Sequence, residues 1–83
     1  MAESDIYAAL TRILRAVFVR DDLVATPELT ARDVIGWDSF RHVELVMAVE
    51  ETFDIKIRLR EQSSLRALSD LAALIATKLQ AKN

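Results

Sequence analysis

Glycine and proline, the residues that most often turn or interrupt a polypeptide, are almost absent from this chain. Gly36 and Pro27 are the only two among its 83 residues. An all-β protein needs turn residues about every ten positions, so the sequence is a poor candidate for a sandwich or barrel. The scarcity of both residues favours helices joined by few connections.

Apolar residues recur at helical spacing over most of the sequence. Steps of three and four residues predict a first amphipathic helix over about residues 4–19, capped by Ser4 or Asp5. Similar patterns predict a second helix over about 39–53, and a last helix over about 67–80 that ends in a frayed tail. The apolar positions of the first helix are Ile6, Leu10, Ile13, Leu14, Val17 and Phe18, and those of the last are Leu68, Leu71, Leu74, Ile75 and Leu79.

Residues 20–37 break the helical pattern and predict a long loop. Thr26 precedes Pro27, which is typical of a cap followed by a first-turn proline. The run from Thr30 to Asp33 has the spacing of a capping box, with aspartate as its last member. One or two short helical turns are therefore expected within the loop. The residues expected to pin it to the core are Leu23, Leu29, Val34 and Ile35.

The segment between the second and last helices completes the predicted fold. "FDIKI" leaves the second helix, and "LREQSS" predicts one short helical turn. The expected fold is all-α: a small four-helix bundle of three longer helices and one short third helix, with a long loop between helices one and two. Residues 1–83 are expected to form a single domain.

Composition excludes several classes of function. The chain has no cysteine, so disulfides and thiolate metal sites are excluded, and its single histidine, His42, excludes a multi-histidine site; no metal site is expected. A net charge of −2 offers no basic field for nucleic acid. Neither a signal peptide nor an apolar run of about 20 residues is present, so membrane insertion is not expected. A cytoplasmic monomer is expected.

The second helix carries two opposed apolar stripes. At about 100° per residue, one side groups Leu45, Val46, Val49 and Phe53, which are enough to dock on the other helices. The opposite side groups Phe40, Val43 and Met47, with Glu44, Glu50 and Glu51 alongside. Either the loop 20–37 folds over this second stripe, or the stripe is a contact surface for a partner protein. In the second case its acidic rim predicts partners with basic patches.

Ser39, in the stretch "GWDSF", has three conceivable roles. It or Asp38 suits the cap of the second helix. A nucleophile is poorly supported, because the stretch lacks the second glycine of a nucleophile elbow and the only histidine lies three residues along the same helix; catalysis by this chain is not expected. An attached phosphodiester is physically reasonable, because a helix N-terminus favours an anion, and Asp38 is a suitable metal helper during phosphate transfer.

The run "DSFRHVELVMAVEETFDIKI" resembles the signature of acyl carrier proteins. The familiar form has Asp-Ser-Leu, then Glu-Leu-Val-Met-Ala-Leu-Glu-Glu, then Phe-Asp or Phe-Gly, and the match is nearly continuous from Gly36 to Ile57. The order of helices along the rest of the chain is similar as well. The resemblance therefore spans the chain in outline, and its specific motif covers the middle quarter.

The resemblance implies a function. A phosphopantetheinyl transferase would move the 4′-phosphopantetheine arm of coenzyme A onto Ser39, with Asp38 beside it, and the arm's thiol would carry an acyl group as a thioester. Acyl ligases, synthases and acyltransferases would be the partner enzymes. The positions implied to face them are Phe40, Val43, Glu44, Met47, Glu50, Glu51 and Ile57.

Several residues depart from the family's usual pattern. Phe40 replaces the usual leucine, and Arg58 and Arg60 stand where many members carry acids. These arginines and Arg41 are most simply a solvated face. Because the chain is also less acidic than typical fatty-acid carriers, a specialised carrier is favoured over a housekeeping one. A peptidyl or aminoacyl carrier, and an unmodified helical interaction module, remain as alternatives.

Overall fold

The structure is a computed structural model that describes residues 2–82. Its elements are α1 (Glu3–Phe18), a single 3-10 turn (Ala31–Asp33), α2 (Ser39–Phe53), α3 (Leu59–Ser63) and α4 (Leu68–Lys82). Over this range there is no β-strand, and one isolated antiparallel bridge joins Thr30 to Ala67. The all-α prediction, with three longer helices and a short third one, is confirmed. No helix among these residues is both long and apolar enough to cross a membrane.

The cap predicted for α1 and the helix start predicted at Pro27 are wrong. The cap position of α1 is Ala2, and Asp5, inside the first turn, accepts the Ala2 N–H through Oδ2 at 3.3 Å. The segment at Pro27 is a turn in which the N–H of Leu29 donates to the Thr26 carbonyl at 3.2 Å. In both places a local hydrogen bond other than the expected cap satisfies the backbone.

The frayed tail predicted after residue 80 is also wrong over the described residues, because α4 continues to Lys82. The Lys82 Nζ donates to the backbone carbonyl of Asp54 at 2.7 Å and to that of Phe53 at 3.3 Å. These carbonyls lie at the C-terminus of α2, where the helix dipole favours a cation. A contact distant in sequence therefore holds the last turn of α4. Met1 and Asn83 lie outside the described residues.

The core is built around α1, which packs against both α2 and α4. No polar or charged side chain is buried among residues 2–82, so the core depends on apolar burial, worth about 1.5–3 kcal/mol for each large side chain. The helical residues of the core are Ile6, Ala9, Leu10, Ile13 and Leu14 of α1, Leu45, Val46, Val49 and Phe53 of α2, and Leu68, Leu71, Ala72 and Ile75 of α4. The connecting segments add Leu23, Ala25, Val34, Ile55 and Ile57.

The connection between α1 and α2 is held by backbone hydrogen bonds as well as by apolar side chains. The Thr11 hydroxyl on α1 accepts the Ala25 N–H at 2.9 Å. At the other side, the first-turn N–H groups of α4, from Leu68 and Ser69, donate to carbonyls of the connection at 2.9 and 3.0 Å. Those N–H groups have no partner inside their own helix. The connection therefore caps α4 while it covers one side of the core.

Of the four residues expected to pin this connection, one is misplaced. Leu23 and Val34 are buried and Leu29 packs against the core, but Ile35 is 89% exposed. Val34 has extended backbone angles, and successive side chains of an extended segment point in opposite directions. Because Val34 takes the inward place, Ile35 faces outward.

Replacing Phe53 by alanine should destabilise the protein by about 3–5 kcal/mol, because the ring is only 5% exposed within the core. Urea or thermal unfolding followed by circular dichroism measures the loss. Phe40→Ala is the matched control, since Phe40 is exposed on the same helix and should cost about 0.5 kcal/mol or less. Equal losses for the two variants would contradict the assignment of the two faces.

The stabilising effect of Asp70 should depend on pH. Its Oδ2 accepts the N–H groups of Arg66 and Ala67 at 3.0 and 3.1 Å, and these bonds lower the pKa of the Asp70 carboxyl. A lowered folded-state pKa stabilises the protein above the carboxyl's unfolded pKa, and the stabilisation is lost as the pH falls through the folded value. Asp70→Asn should therefore lower the urea midpoint at about pH 7, and its difference from the unmutated protein should shrink as the pH falls below the carboxyl's unfolded pKa of about 3.9. A gap that stayed constant over this range would contradict the assignment.

Candidate functional site

The chain turns into α2 through Gly36, Trp37 and Asp38. Gly36 has φ of +90°, a left-handed conformation that favours glycine. The Trp37 N–H donates to the Val34 carbonyl at 3.3 Å and closes the turn. Asp38 is extended, and its Oδ1 accepts the N–H of Arg41 at 2.8 Å, which makes it the N-cap of α2. Ser39 is consequently the first residue of the helix.

Because Asp38 caps the helix, the Ser39 hydroxyl does not have to. Ser39 is exposed, and its hydroxyl has no hydrogen-bond partner within residues 2–82. The two alternative caps predicted from sequence are thus resolved in favour of Asp38. An exposed hydroxyl at the positive end of a helix dipole is well placed for the attachment of an anionic group.

An aromatic cluster fixes the chain just before Ser39. The Trp37 ring lies 5.2 Å, centroid to centroid, from the ring of Phe18 at the end of α1. The Trp37 Nε1–H donates to Nδ1 of His42 at 3.4 Å. His42 is therefore hydrogen-bonded to Trp37 and not to Ser39, so the arrangement is not that of a serine nucleophile with its base.

A small cavity lies beneath the first turns of α2. Its volume is about 60 Å³, and Trp37, His42 and Leu45 line one side of it. Leu29, from the connection between α1 and α2, and Leu65, which follows α3, line other parts. The walls are mainly apolar, as in most pockets that hold small ligands.

The second apolar stripe of α2 is exposed. Phe40, Val43 and Met47, called here the outer face of α2, have 68%, 52% and 61% of their surface accessible. The explanation that the connection between α1 and α2 folds over this stripe is therefore wrong. The opposite side of the helix is buried as predicted. Its residues are Leu45, Val46, Val49 and Phe53.

The three glutamates beside the outer face have different surroundings. Glu44 pairs with Arg41, with 2.7 Å between Oε1 and Nη1, and the guanidinium lies 5.8 Å from the Phe40 ring centroid. Glu50 accepts the N–H of Ile57 through Oε2 at 2.8 Å. Glu51 is exposed and belongs to none of the ion pairs found within residues 2–82. The acidic rim expected from sequence is thus partly occupied by contacts within the chain.

The position of Ile57 differs from the prediction. Its side chain is only 6% exposed and belongs to the core, so it is not presented to a partner protein. Ile55 and Ile57 both point inward from an extended segment, which follows from the two-residue period of such backbone. Leu59, two residues further on, is 83% exposed and was not singled out in the sequence.

Asp38 has a structural role in this site. Its carboxylate already accepts the Arg41 N–H. No group of three or more His, Cys, Asp or Glu side chains in the described part of the chain is arranged to hold a metal ion. Help from Asp38 in metal-dependent phosphate transfer remains a prediction.

Comparison with known proteins places these features in a family. No family model matches the chain. An acyl carrier protein of Syntrophobacter fumaroxidans is 41% identical over 56 residues, which cover 68% of this chain and 69% of the relative. An acyl carrier protein of Exiguobacterium is 39% identical over 54 residues, which cover 65% of this chain and 68% of the relative.

Solved structures give the same result for the fold. The holo acyl carrier protein of Geobacter metallireducens is similar with a TM-score of 0.88 and 40% identity, over 93% of this chain and 88% of that one. The acyl carrier protein of Thermotoga maritima has a TM-score of 0.84 and 26% identity, over 98% of this chain and 94% of that one. Sequence and fold agree over a large share of each chain, and the protein therefore belongs to the acyl carrier protein family.

Proposed function

We propose that Ser39 bears a 4′-phosphopantetheine arm, transferred from coenzyme A by a phosphopantetheinyl transferase. The observation that carries this proposal is the exposed Ser39 hydroxyl, left without a hydrogen bond in the described residues because Asp38 caps α2. When bound, the arm supplies a thiol that holds acyl groups as thioesters. The chain itself has no cysteine, so no protein thiol competes for them.

The surroundings of Ser39 fit a phosphodiester. Ser39 is the first residue of α2, and the positive end of the helix dipole favours an anion there. Trp37 and Gly36 hold the preceding turn, so the hydroxyl is presented on a defined backbone. The chain's part in the chemistry is to anchor and present the arm, and partner enzymes carry out acyl transfer.

The outer face of α2 is the proposed contact surface for these partners. It begins next to Ser39 and is exposed along its whole length. Apolar side chains with a methionine among them suit an adaptable contact with more than one enzyme. The partners proposed are the transferase and an acyl ligase, synthase or acyltransferase.

We also propose that the protein serves a specialised pathway and not housekeeping lipid synthesis. The supporting observations are the low net charge of −2 and the arginines at positions 58 and 60. Long-range attraction to basic enzyme surfaces scales with carrier charge, so a weakly acidic carrier suits a dedicated set of partners.

The attachment site is tested by incubating the protein with coenzyme A, magnesium and a broad-specificity phosphopantetheinyl transferase, followed by intact-mass spectrometry. The unmutated protein should gain one phosphopantetheinyl group, and Ser39→Ala should gain none. Ser69→Ala is the matched control, because Ser69 is also exposed in the first turn of a helix, and it should be modified normally. Absence of modification in the unmutated protein would refute the carrier function, and modification of Ser39→Ala would refute the site.

Met47→Glu should slow acyl or phosphopantetheinyl transfer, because it places a charge on the apolar outer face of α2. The loss expected in kcat/KM is about tenfold, or about 1.4 kcal/mol. Gln80→Glu, on the exposed surface of α4, adds the same charge elsewhere and should have little effect. Normal kinetics for Met47→Glu, with an unchanged circular dichroism spectrum, would show that the stripe is not a contact surface.

A further inference from the structure

Three exposed cations follow α2 closely in the sequence and form no ion pair within residues 2–82. Lys56, Arg58 and Arg60 are all exposed. None of them belongs to the four ion pairs formed between residues 2 and 82. Arg58 interacts with the Glu61 carboxylate only at longer range than an ion pair, because Lys78 holds that carboxylate.

The acids nearest to them in sequence are occupied by α4. Asp54 pairs with Lys82, at 3.2 Å between Oδ2 and Nζ. Glu61 pairs with Lys78 at 3.1 Å and also accepts the N–H of Arg58 at 2.8 Å through the same Oε1. Two lysines of α4 thus take the carboxylates that would otherwise neutralise this segment.

The fold holds the cations at the side of α2. Ile55 N–H donates to the Glu50 carbonyl at 3.1 Å, and Ile57 N–H donates to the Glu50 carboxylate at 2.8 Å. Because Ile55 and Ile57 point into the core, Lys56 and Arg58 point outward. Leu59, 83% exposed, lies between Arg58 and Arg60 at the start of α3.

We propose that Lys56, Arg58, Leu59 and Arg60, called here the basic patch, bind an acidic and partly apolar surface on the partner enzyme. The proposal rests on the proposed carrier function for the kind of partner, and it reverses the charge expected from the acidic rim of α2. That rim is weakened, because Glu44 is paired with Arg41 and Glu50 holds the Ile57 amide. Complementary charge at the edge of an interface mainly raises the association rate and selects the partner.

A protein surface fits the basic patch better than a lipid bilayer or a nucleic acid. The exposed acid Glu51 lies on the same helix as the outer face of α2, and the chain as a whole has a net charge of −2. An extended polyanion would meet these negative charges as well as the cations. A partner protein can place its carboxylates opposite the basic patch alone and an apolar group against Leu59.

The test is an NMR titration of the ¹⁵N-labelled protein with an amphipathic peptide of leucine and glutamate, and with its leucine and lysine counterpart. The glutamate peptide should shift the amide signals of residues 56–60, and the lysine peptide should not. Arg58→Glu combined with Arg60→Glu should weaken binding of the glutamate peptide about five- to tenfold. Arg58→Gln with Arg60→Gln, which is gentler on the fold, should weaken it in the same direction.

Arg12→Glu combined with Arg32→Glu is the matched control, since both arginines are exposed, lie outside the basic patch and give the same change in net charge. This pair should bind the glutamate peptide nearly as well as the unmutated protein. Equal weakening by the two pairs, or shifts that map elsewhere, would overturn the proposal.

Tighter binding of phosphatidylglycerol vesicles than of the glutamate peptide at residues 56–60 would also overturn it, in favour of a lipid surface. Modification by coenzyme A and the transferase, measured separately, reports on Ser39 alone, so the two proposals fail independently.

Discussion

The burial of the α1 apolar stripe against α2 and α4 is the interaction on which the rest of this structure depends. α1 is the element that touches both other long helices, and no polar side chain shares the core within residues 2–82. The connecting segments before and after α2 are each attached to this core by a buried apolar residue and by a hydrogen bond from a backbone N–H to a side chain. The connection before α2 uses Val34 and the Thr11 hydroxyl, and the segment after α2 uses Ile57 and Glu50.

Only one side of α2 is used in the core, and its other side is free for contacts with other molecules. Its inner residues complete the packing against α1, while the outer face of α2 remains exposed although it is apolar. At its first turn Asp38 takes the capping role, so the Ser39 hydroxyl has no structural function among the described residues. A helix that is stabilised from one side can present a modification site and a contact surface on the other without loss of stability. This separation suits a protein that belongs to a carrier family.

The packing of α4 also determines which charged side chains form ion pairs. Asp54, at the C-terminus of α2, pairs with Lys82, and Glu61, in α3, pairs with Lys78, so both acids contact α4. Exposed ion pairs of this kind contribute little individually, but they determine which charges remain unmatched. The cations of the basic patch remain unpaired beside α2. A partner protein would meet these local positive charges, although the net charge of the chain is negative.

The sequence alone determined the helices, their order and the two faces of α2, because these follow from local periodicity and from the near absence of glycine and proline. It also singled out Ser39, through a motif whose spacing is independent of the fold. Only the tertiary structure decided that Ile35 faces solvent, that Ile57 is buried and that α4 continues to Lys82. It likewise decided that Glu50 accepts a backbone N–H and that Arg58 and Arg60 form no ion pair among residues 2–82. The physical reason is that either of the two alternating sets of side chains in an extended segment can face the core, and a charged side chain can pair with any of several partners. Residues that are distant in the sequence determine both outcomes.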